Sequence, residues 1–278
     1  METRSIAPCG RPNGHGFYAT NLRNEVLAIA RLAIIENLRR KEFYVVLVLV
    51  LGLAVWMAML NMNASGTGRF AKDIVMQVTW LASFALAVPL AVRQVASDLE
   101  QKTIYVLASR PITRWHYIVG RTLGAAFASI ACFTCLFLVL VLMLMAKGVT
   151  SVADPGLWEA FALQVTALFM ICSIAMMLST VSSPGAAVTF SMLILVIMRY
   201  GGPSIVNIIK QMPPLVRSLS WALYLMMPHF EFFNISQRIV HGWGPLPISL
   251  VSQVIVYGLG YAFVITAVAA VVFRRRWL

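Results

Sequence analysis

Side chains able to do chemistry are sparse in this sequence, and they fall into three groups. The first is the stretch S-D-L-E-Q-K-T-I-Y-V-L-A-S-R-P at 97–111. Its Asp98 and Glu100, with His116 close behind and Glu36 upstream, form the only dense set of acids and bases. Such groups could share proton-transfer work on a lipid, but the spacing fits no catalytic template. The second is C-F-T-C at 132–135, which has redox-motif spacing. Inside an apolar run the pair reads instead as two small apolar residues. Cys172 also lies in an apolar run and Cys9 in a polar tail, so the cysteines make no disulfide framework. The third is Met226, Met227, His229 and His241. Methionine and histidine can ligate copper. The plainer reading has methionine filling irregular apolar gaps and the histidines at an interface, with no metal bound. G-x-x-x-x-G-K-[ST] and H-E-x-x-H are both absent, so no P-loop phosphate cradle and no helix-borne zinc pair is written here.

The chain that carries these residues is 60% hydrophobic and only 12% charged, about half the charged share of a soluble domain. Several uncharged runs reach the roughly 20 residues that a membrane-crossing helix needs. Together these imply an all-α, polytopic membrane protein. A net charge of +12 would suit nucleic acid in a soluble chain, but no soluble basic domain exists to carry that role. The basic residues group in particular loops, as topology and lipid headgroups require. The spans hold essentially no acid or base away from their ends. Carriers driven by ions or protons keep such groups near the midplane, so an energy source acting from the cytoplasm fits better. The spans also offer no charged pocket, which suits an apolar or lipid-like cargo.

Stepping along the chain, residues 1–21 read as a flexible cytoplasmic tail. They lack the basic start, apolar core and cleavage site of a signal peptide, so the first span is expected to remain as an anchor. Residues 22–42 read as an amphipathic interfacial helix, with Arg and Lys at headgroup level. Six spans are expected within 43–273, at about 43–61, 74–93, 119–146 and 158–181, then a short fifth from Gly185 to Met198, then 247–273. S-S-P-G at 182–185 divides the long uncharged stretch as a tight hairpin. Arg199, just past the fifth span, is expected to snorkel, or the span to be partly broken. The outer segment 201–246 is apolar and aromatic at 218–233 but too short to cross. A re-entrant or interfacial helical pair stopped at Pro228 fits it. Fifteen Lys and Arg fall on the side of the N-terminal segment, residues 93–121 and the basic tail 274–278, against seven on the other. That bias places both termini in the cytoplasm, which requires an even number of spans. Gly120, Gly124 and Ala128 recur every four residues and permit close helix approach, more naturally inside the bundle than between protomers. Trp115 and Tyr117 are placed as headgroup-level anchors.

Within the 97–111 stretch the pattern is a short helix over 97–108. Ser97-x-x-Glu100 matches a capping box, and Asp98 and Glu100 suit the positive end of a helix. Leu99, Thr103, Val106 and Leu107 share one side, while Asp98, Gln101, Lys102 and Tyr105 share the other. Pro111 ends the helix after roughly 15 Å. The longer run D-L-E-Q-K-T-I-Y-V-L-A-S-R-P-I-T-R-W-H-Y-I-V-G-R resembles the cytoplasmic signature of ABC-2 type transporter permeases. The matching positions are Glu100, Thr103, Leu107, Ser109, Pro111, Ile112, Thr113, Arg114, Gly120 and Arg121; Lys102 departs where many members have Gly. The layout of the whole chain is similar as well. M-P-H-F-E-F-F-N-I-S-Q-R-I-V-H-G at 227–242 resembles the family's outer Pro-aromatic-Asn segment. The nearest subgroup is the permeases grouped with multicopper-enzyme maturation.

The resemblance implies the transmembrane permease subunit of an ATP-driven exporter, in the bacterial cytoplasmic (inner) membrane. It implies pairing with a second permease protomer as a homo- or heterodimer, contact with membrane lipids, and no nucleic acid. ATP and Mg would sit on separate cytoplasmic ABC ATPase subunits, leaving this chain without cofactor or catalysis. In the family, the helix after the second span is a coupling helix seated in a cleft of the ATPase. The corresponding set here is Asp98, Glu100, Gln101, Lys102, Thr103 and Tyr105, with Pro111 and Arg114 closing the segment. Two other classes compete: an integral-membrane lipid-modifying enzyme and a non-transporting anchor or scaffold. Binding of a P-loop ATPase to the chain separates them from transport.

Overall fold

The computed structural model describes residues 67–100, 114–146, 154–235 and 248–276, with isolated positions elsewhere. The tail 1–21, the interfacial helix 22–42, the first span 43–61 and most of the 97–108 segment lie outside the described residues. Every regular element among the described residues is helical. They are α1 (Thr67–Glu100), α2 (Arg114–Ala146), α3 (Pro155–Val181), α4 (Pro184–Tyr200), α5 (Gly202–Gln211), α6 (Pro214–Met226), a 3-10 turn (Phe230–Phe233) and α7 (Ile248–Arg276). The helices α1, α2, α3 and α7 are each long and apolar enough to cross a membrane, and α4 with α5 forms a fifth candidate bent by 75°. The chain is thus an all-α polytopic membrane protein, with the remaining expected span, 43–61, outside the described residues.

Central to the bundle is α3, which packs on α1, α2, α4 and α7. A helix apolar all round is what such a surrounded position demands, and Leu163, Ala167, Leu168, Met170, Ile171, Cys172, Ala175 and Met176 are all buried in it. That explains why 160–181 carries no charge. Lipid tails are as apolar as leucine, so helices in a bilayer are held by close packing and interhelical hydrogen bonds. The seam between α1 and α3 has two such bonds: Gln164 Nε2 donates to Ser83 Oγ at 2.7 Å and Ser179 Oγ donates to the Val92 carbonyl at 2.9 Å. On the far side, Thr266 Oγ1 of α7 lies 3.3 Å from Ser173 Oγ of α3. Gly258 lets α7 approach further: a Cβ there would meet Thr166 Cγ2 at 2.6 Å and Phe233 Cζ at 2.9 Å.

Local chemistry sets the breaks. The α3–α4 hairpin needs only Ser182 and Ser183, because Pro184 takes the first helical position, where a missing N–H costs nothing. Val181 and Pro184 therefore bracket the turn that S-S-P-G predicts. The bend between α4 and α5 falls at Gly201-Gly202, where the Glu231 carboxylate packs onto the space a Gly202 side chain would fill. The outer segment then folds as α5, α6 and the 3-10 turn, and α6 stops at Met226, just before Pro228.

Three expectations change. Ser97 is no helix N-cap, since α1 runs unbroken through it from Thr67 to Glu100. Tyr117 is buried against Phe273 of α7, with ring centroids 5.8 Å apart, so only Trp115 keeps an outward position. Arg274 to Arg276 continue α7 rather than forming a separate tail.

Candidate functional site

Two regions carry the polar side chains, one at each end of α1. At its C-terminal end lies the coupling segment of the sequence reading. Asp98 and Glu100 belong to the last turn of α1. Gln101, Lys102, Thr103, Tyr105 and Pro111 lie outside the described residues, and Arg114 opens α2. Tyr117, Ile118, Ala269, Ala270 and Phe273 form a buried cluster tying α2 to α7, and the Ser179 bond ties α3 to α1 close to Gln94. Arg121, the basic residue after Gly120, is buried with its guanidinium 5.9 Å from the Tyr117 ring centroid. Gly120, Gly124 and Ala128 are all buried within the single chain, so the small-residue stripe faces neighbours inside the bundle.

The opposite end holds what the sequence reading missed. Arg199, expected at the surface, is 6% exposed. It turns inward because α1 supplies partners: its guanidinium carbon sits 4.4 Å from the Trp80 ring centroid, and Nη2 lies 3.4 Å from Gln77 Oε1. A cation over an indole face in a dry setting is worth about 2 kcal/mol. Around this pair lies a cavity of about 40 Å³, bordered by Thr79, Gln164, Phe133 and Phe233 among others. Thr79 Oγ1, Trp80 Nε1, Gln164 Oε1 and Arg199 Nε are buried without a hydrogen-bond partner. Asp73, one turn before Gln77, is close enough to act on Arg199 electrostatically, yet its Oδ1 is also unpartnered. The expectation of spans without a charged pocket is corrected here. The available signal was the amides: Gln77, Gln94 and Gln164 are polar residues in otherwise apolar runs, and a polar side chain inside a membrane is retained for packing or use.

The outer segment caps this cavity. Phe230 is fully buried against Phe84 of α1, with centroids 6.0 Å apart. His229 stacks on Phe232 at 5.4 Å and meets Tyr257 Oη through both its backbone N–H, at 3.3 Å, and Nδ1, at 3.2 Å. Tyr224 Oη donates to Glu231 Oε1 at 2.9 Å; burial first, then this bond, pushes the phenol up to about 12. The copper candidates are spread across different settings. Met226 is 77% exposed while His229 is buried in an aromatic cage, and His241 lies outside the described residues.

A model of the ABC-2 family transporter protein matches residues 27–278. The chain belongs to the ABC-2 transporter family. It is accordingly a permease component of an ABC transporter and an integral membrane protein, and the membership implies ABC ATPase partners and dimeric assembly in general terms. The match spans nearly all of the ABC-2 chain, from the expected interfacial helix to the final residue. It is made at family level and does not extend to the multicopper-maturation subgroup. Comparison with individual curated proteins gives no match.

Proposed function

We propose that this ABC-2 permease is the membrane subunit of an ATP-driven exporter, coupled to separate ATPase subunits through residues 98–114. The observation that carries this reading is α1. One continuous helix, with Pro89 inside it, runs from Gln77 and Trp80 at the cavity to Asp98 and Glu100 at the segment that resembles the coupling signature. A helix of this kind gives the cytoplasmic segment a direct mechanical route into the bundle. ATP and Mg would be held by the partner subunits, two permease protomers would form the transmembrane unit, and both termini would face the cytoplasm of an inner membrane. ATP binding can drive such a unit only if the ATPase pair binds one permease state more tightly than the other. Asp98, Glu100, Gln101, Lys102, Thr103 and Tyr105 are the contacts assigned to that difference, with Pro111 and Arg114 fixing the return into α2.

The test is a joint charge reversal, Glu100→Lys with Lys102→Glu, in the full chain. It is expected to lower both the ATPase activity that co-purifies with the tagged permease and the amount of P-loop protein recovered with it. Unchanged recovery and unchanged activity would remove the coupling assignment.

A further inference from the structure

We propose that the cavity between Trp80, Gln164 and Arg199 is a recognition site for an anionic head group, a carboxylate or phosphate, on an otherwise apolar molecule. The inference deepens the transport reading by assigning the head-group chemistry of what the permease handles. A charged side chain inside a bilayer protein is costly and is kept where it is used or paired. Arg199 has no carboxylate within ion-pairing distance among the described residues, and its Nε is a buried donor without an acceptor. Trp80 Nε1 adds a second such donor, and Thr79 Oγ1 is a hydroxyl that can donate as well. A buried donor left unmade is expensive; three donors here, one of them on the cation itself, outnumber the single unpartnered acceptor of the lining, Gln164 Oε1, and specify an acceptor-rich, negatively charged group. Guanidinium matches carboxylate and phosphate oxygens in geometry as well as charge.

The surroundings define the rest of the ligand. Met76, Phe133, Phe137, Phe233 and Ile235 supply most of the apolar part of the lining, with Gln77 and Asn234 as further polar members. A volume of about 40 Å³ accommodates roughly three water-sized centres, enough for a head group and no more; the body of the ligand would lie along the aromatic wall. Among the described residues, Asp73 is the carboxylate that acts on Arg199. It competes with the ligand rather than replacing it, since its Oδ1 makes no bond to the guanidinium.

The test is a binding measurement on the full chain in phosphatidylcholine nanodiscs, with no ATPase present. Hexanoate, hexyl phosphate and hexanol are titrated by calorimetry. At least one of the two anions is expected to bind saturably while hexanol does not. Loss of one charge-assisted hydrogen-bond set weakens binding by about ten- to a hundredfold, which is the loss expected for Arg199→Gln. Arg199→Lys is expected to retain binding within about tenfold, and Asp73→Asn not to weaken it. Repeating the titration in discs containing phosphatidylglycerol separates the sources: lost anion binding there identifies a lipid headgroup as the occupant, and retained binding a soluble amphiphile. Absence of saturable binding to either anion, equal binding of hexanol, or equal affinity in Arg199→Gln with its circular dichroism unchanged would overturn the proposal. Should Arg199→Gln fail to fold, Thr79→Val removes a lining donor without touching the charge, and unchanged affinity there is equally fatal. A failed binding test leaves the Glu100/Lys102 result standing, and a failed coupling test leaves this one standing.

Discussion

Replacing Gly258 by alanine probes a close seam between α7 and α3. The added Cβ would stand 2.6 Å from Thr166 Cγ2 and 2.9 Å from Phe233 Cζ, where ordinary carbon contacts lie at about 3.5–4.0 Å. Overlaps of about 1 Å against two buried groups fall in the upper part of the ~1–3 kcal/mol range for overpacking. Alanine returns about 1 kcal/mol through its better helix propensity. The expected net loss is therefore about 1–2 kcal/mol. Thr166→Ser removes the offending methyl while leaving the hydroxyl, which donates to the Ala162 carbonyl at 3.0 Å. Alone it should cost about 0.5–1 kcal/mol for one buried methyl; in the Gly258→Ala background it should cost nothing or stabilise. The double-mutant cycle should give a coupling of about 1 kcal/mol, within the span seen for touching residues. Unfolding in mixed micelles on titration with sodium dodecyl sulfate, followed by circular dichroism, measures all four variants. If Gly258→Ala unfolds at the wild-type point, or Thr166→Ser costs the same in both backgrounds, then α7 does not rest on α3 through this glycine.

Other consequences follow from the same contacts. Ser179→Ala deletes the bond to the Val92 carbonyl; the cost should be about 0.6 kcal/mol, the average for interhelical bonds in a bilayer, with faster amide exchange between Val92 and Glu100, and unaltered exchange would show that the bond adds no restraint. Tyr224 has a raised phenol, so its native contacts favour the protonated form; their contribution is complete below the ordinary value near 10 and disappears as pH climbs through about 12. Tyr224→Phe should accordingly lose less stability than wild type between about pH 10 and pH 12, and parallel curves would contradict the assignment. Cys135 is exposed on the outer face of α2, whereas Cys132 and Cys172 are buried. In a Cys9→Ser background a membrane-permeant thiol reagent should modify Cys135 first, and mass spectrometry showing Cys132 or Cys172 modified as fast would place α2 in the wrong rotation.

How much of this is readable from the chain depends on whether local or distant residues decide it. The hairpin at Ser182-Ser183 is legible because Pro184 and Gly185 act on their own backbone. The crossings at α2, α3 and α7 are legible because length and apolarity suffice. The motif at Ser97 misleads for a local reason: S-x-x-E signals a helix start only where the preceding residues are not already helical, and α1 reaches Ser97 from Thr67. Arg199 and Tyr117 mislead for a tertiary one. Nothing adjacent to Arg199 announces that Trp80 and Gln77, more than a hundred residues earlier, will offer it a place indoors. Likewise the partner that draws Tyr117 inward is Phe273, near the far end of the chain. The 98–114 segment is recognisable by its residue pattern, while the contacts proposed for it lie on a second protein and so cannot be read from one chain.

The cavity and the 98–114 segment are joined by α1 and share its seam with α3. Trp80 and Asp98 stand on one helix, eighteen residues and about 27 Å apart. Between them, α1 is pinned to α3 at Ser83 by Gln164 and at Val92 by Ser179. Gln164 is also a wall of the cavity, so sliding α1 past α3 separates a cavity wall from Trp80 and breaks both bonds together. Their combined resistance is small, on the order of 1 kcal/mol at the bilayer average. Allosteric couplings between sites commonly amount to about 1–3 kcal/mol. Those two bonds therefore resist an event at the 98–114 segment by no more than an ordinary coupling free energy, beside the packing of α1 on α2, α3 and α4. By reciprocity, a group that fills the cavity and braces that wall must resist the same displacement at Asp98 and Glu100.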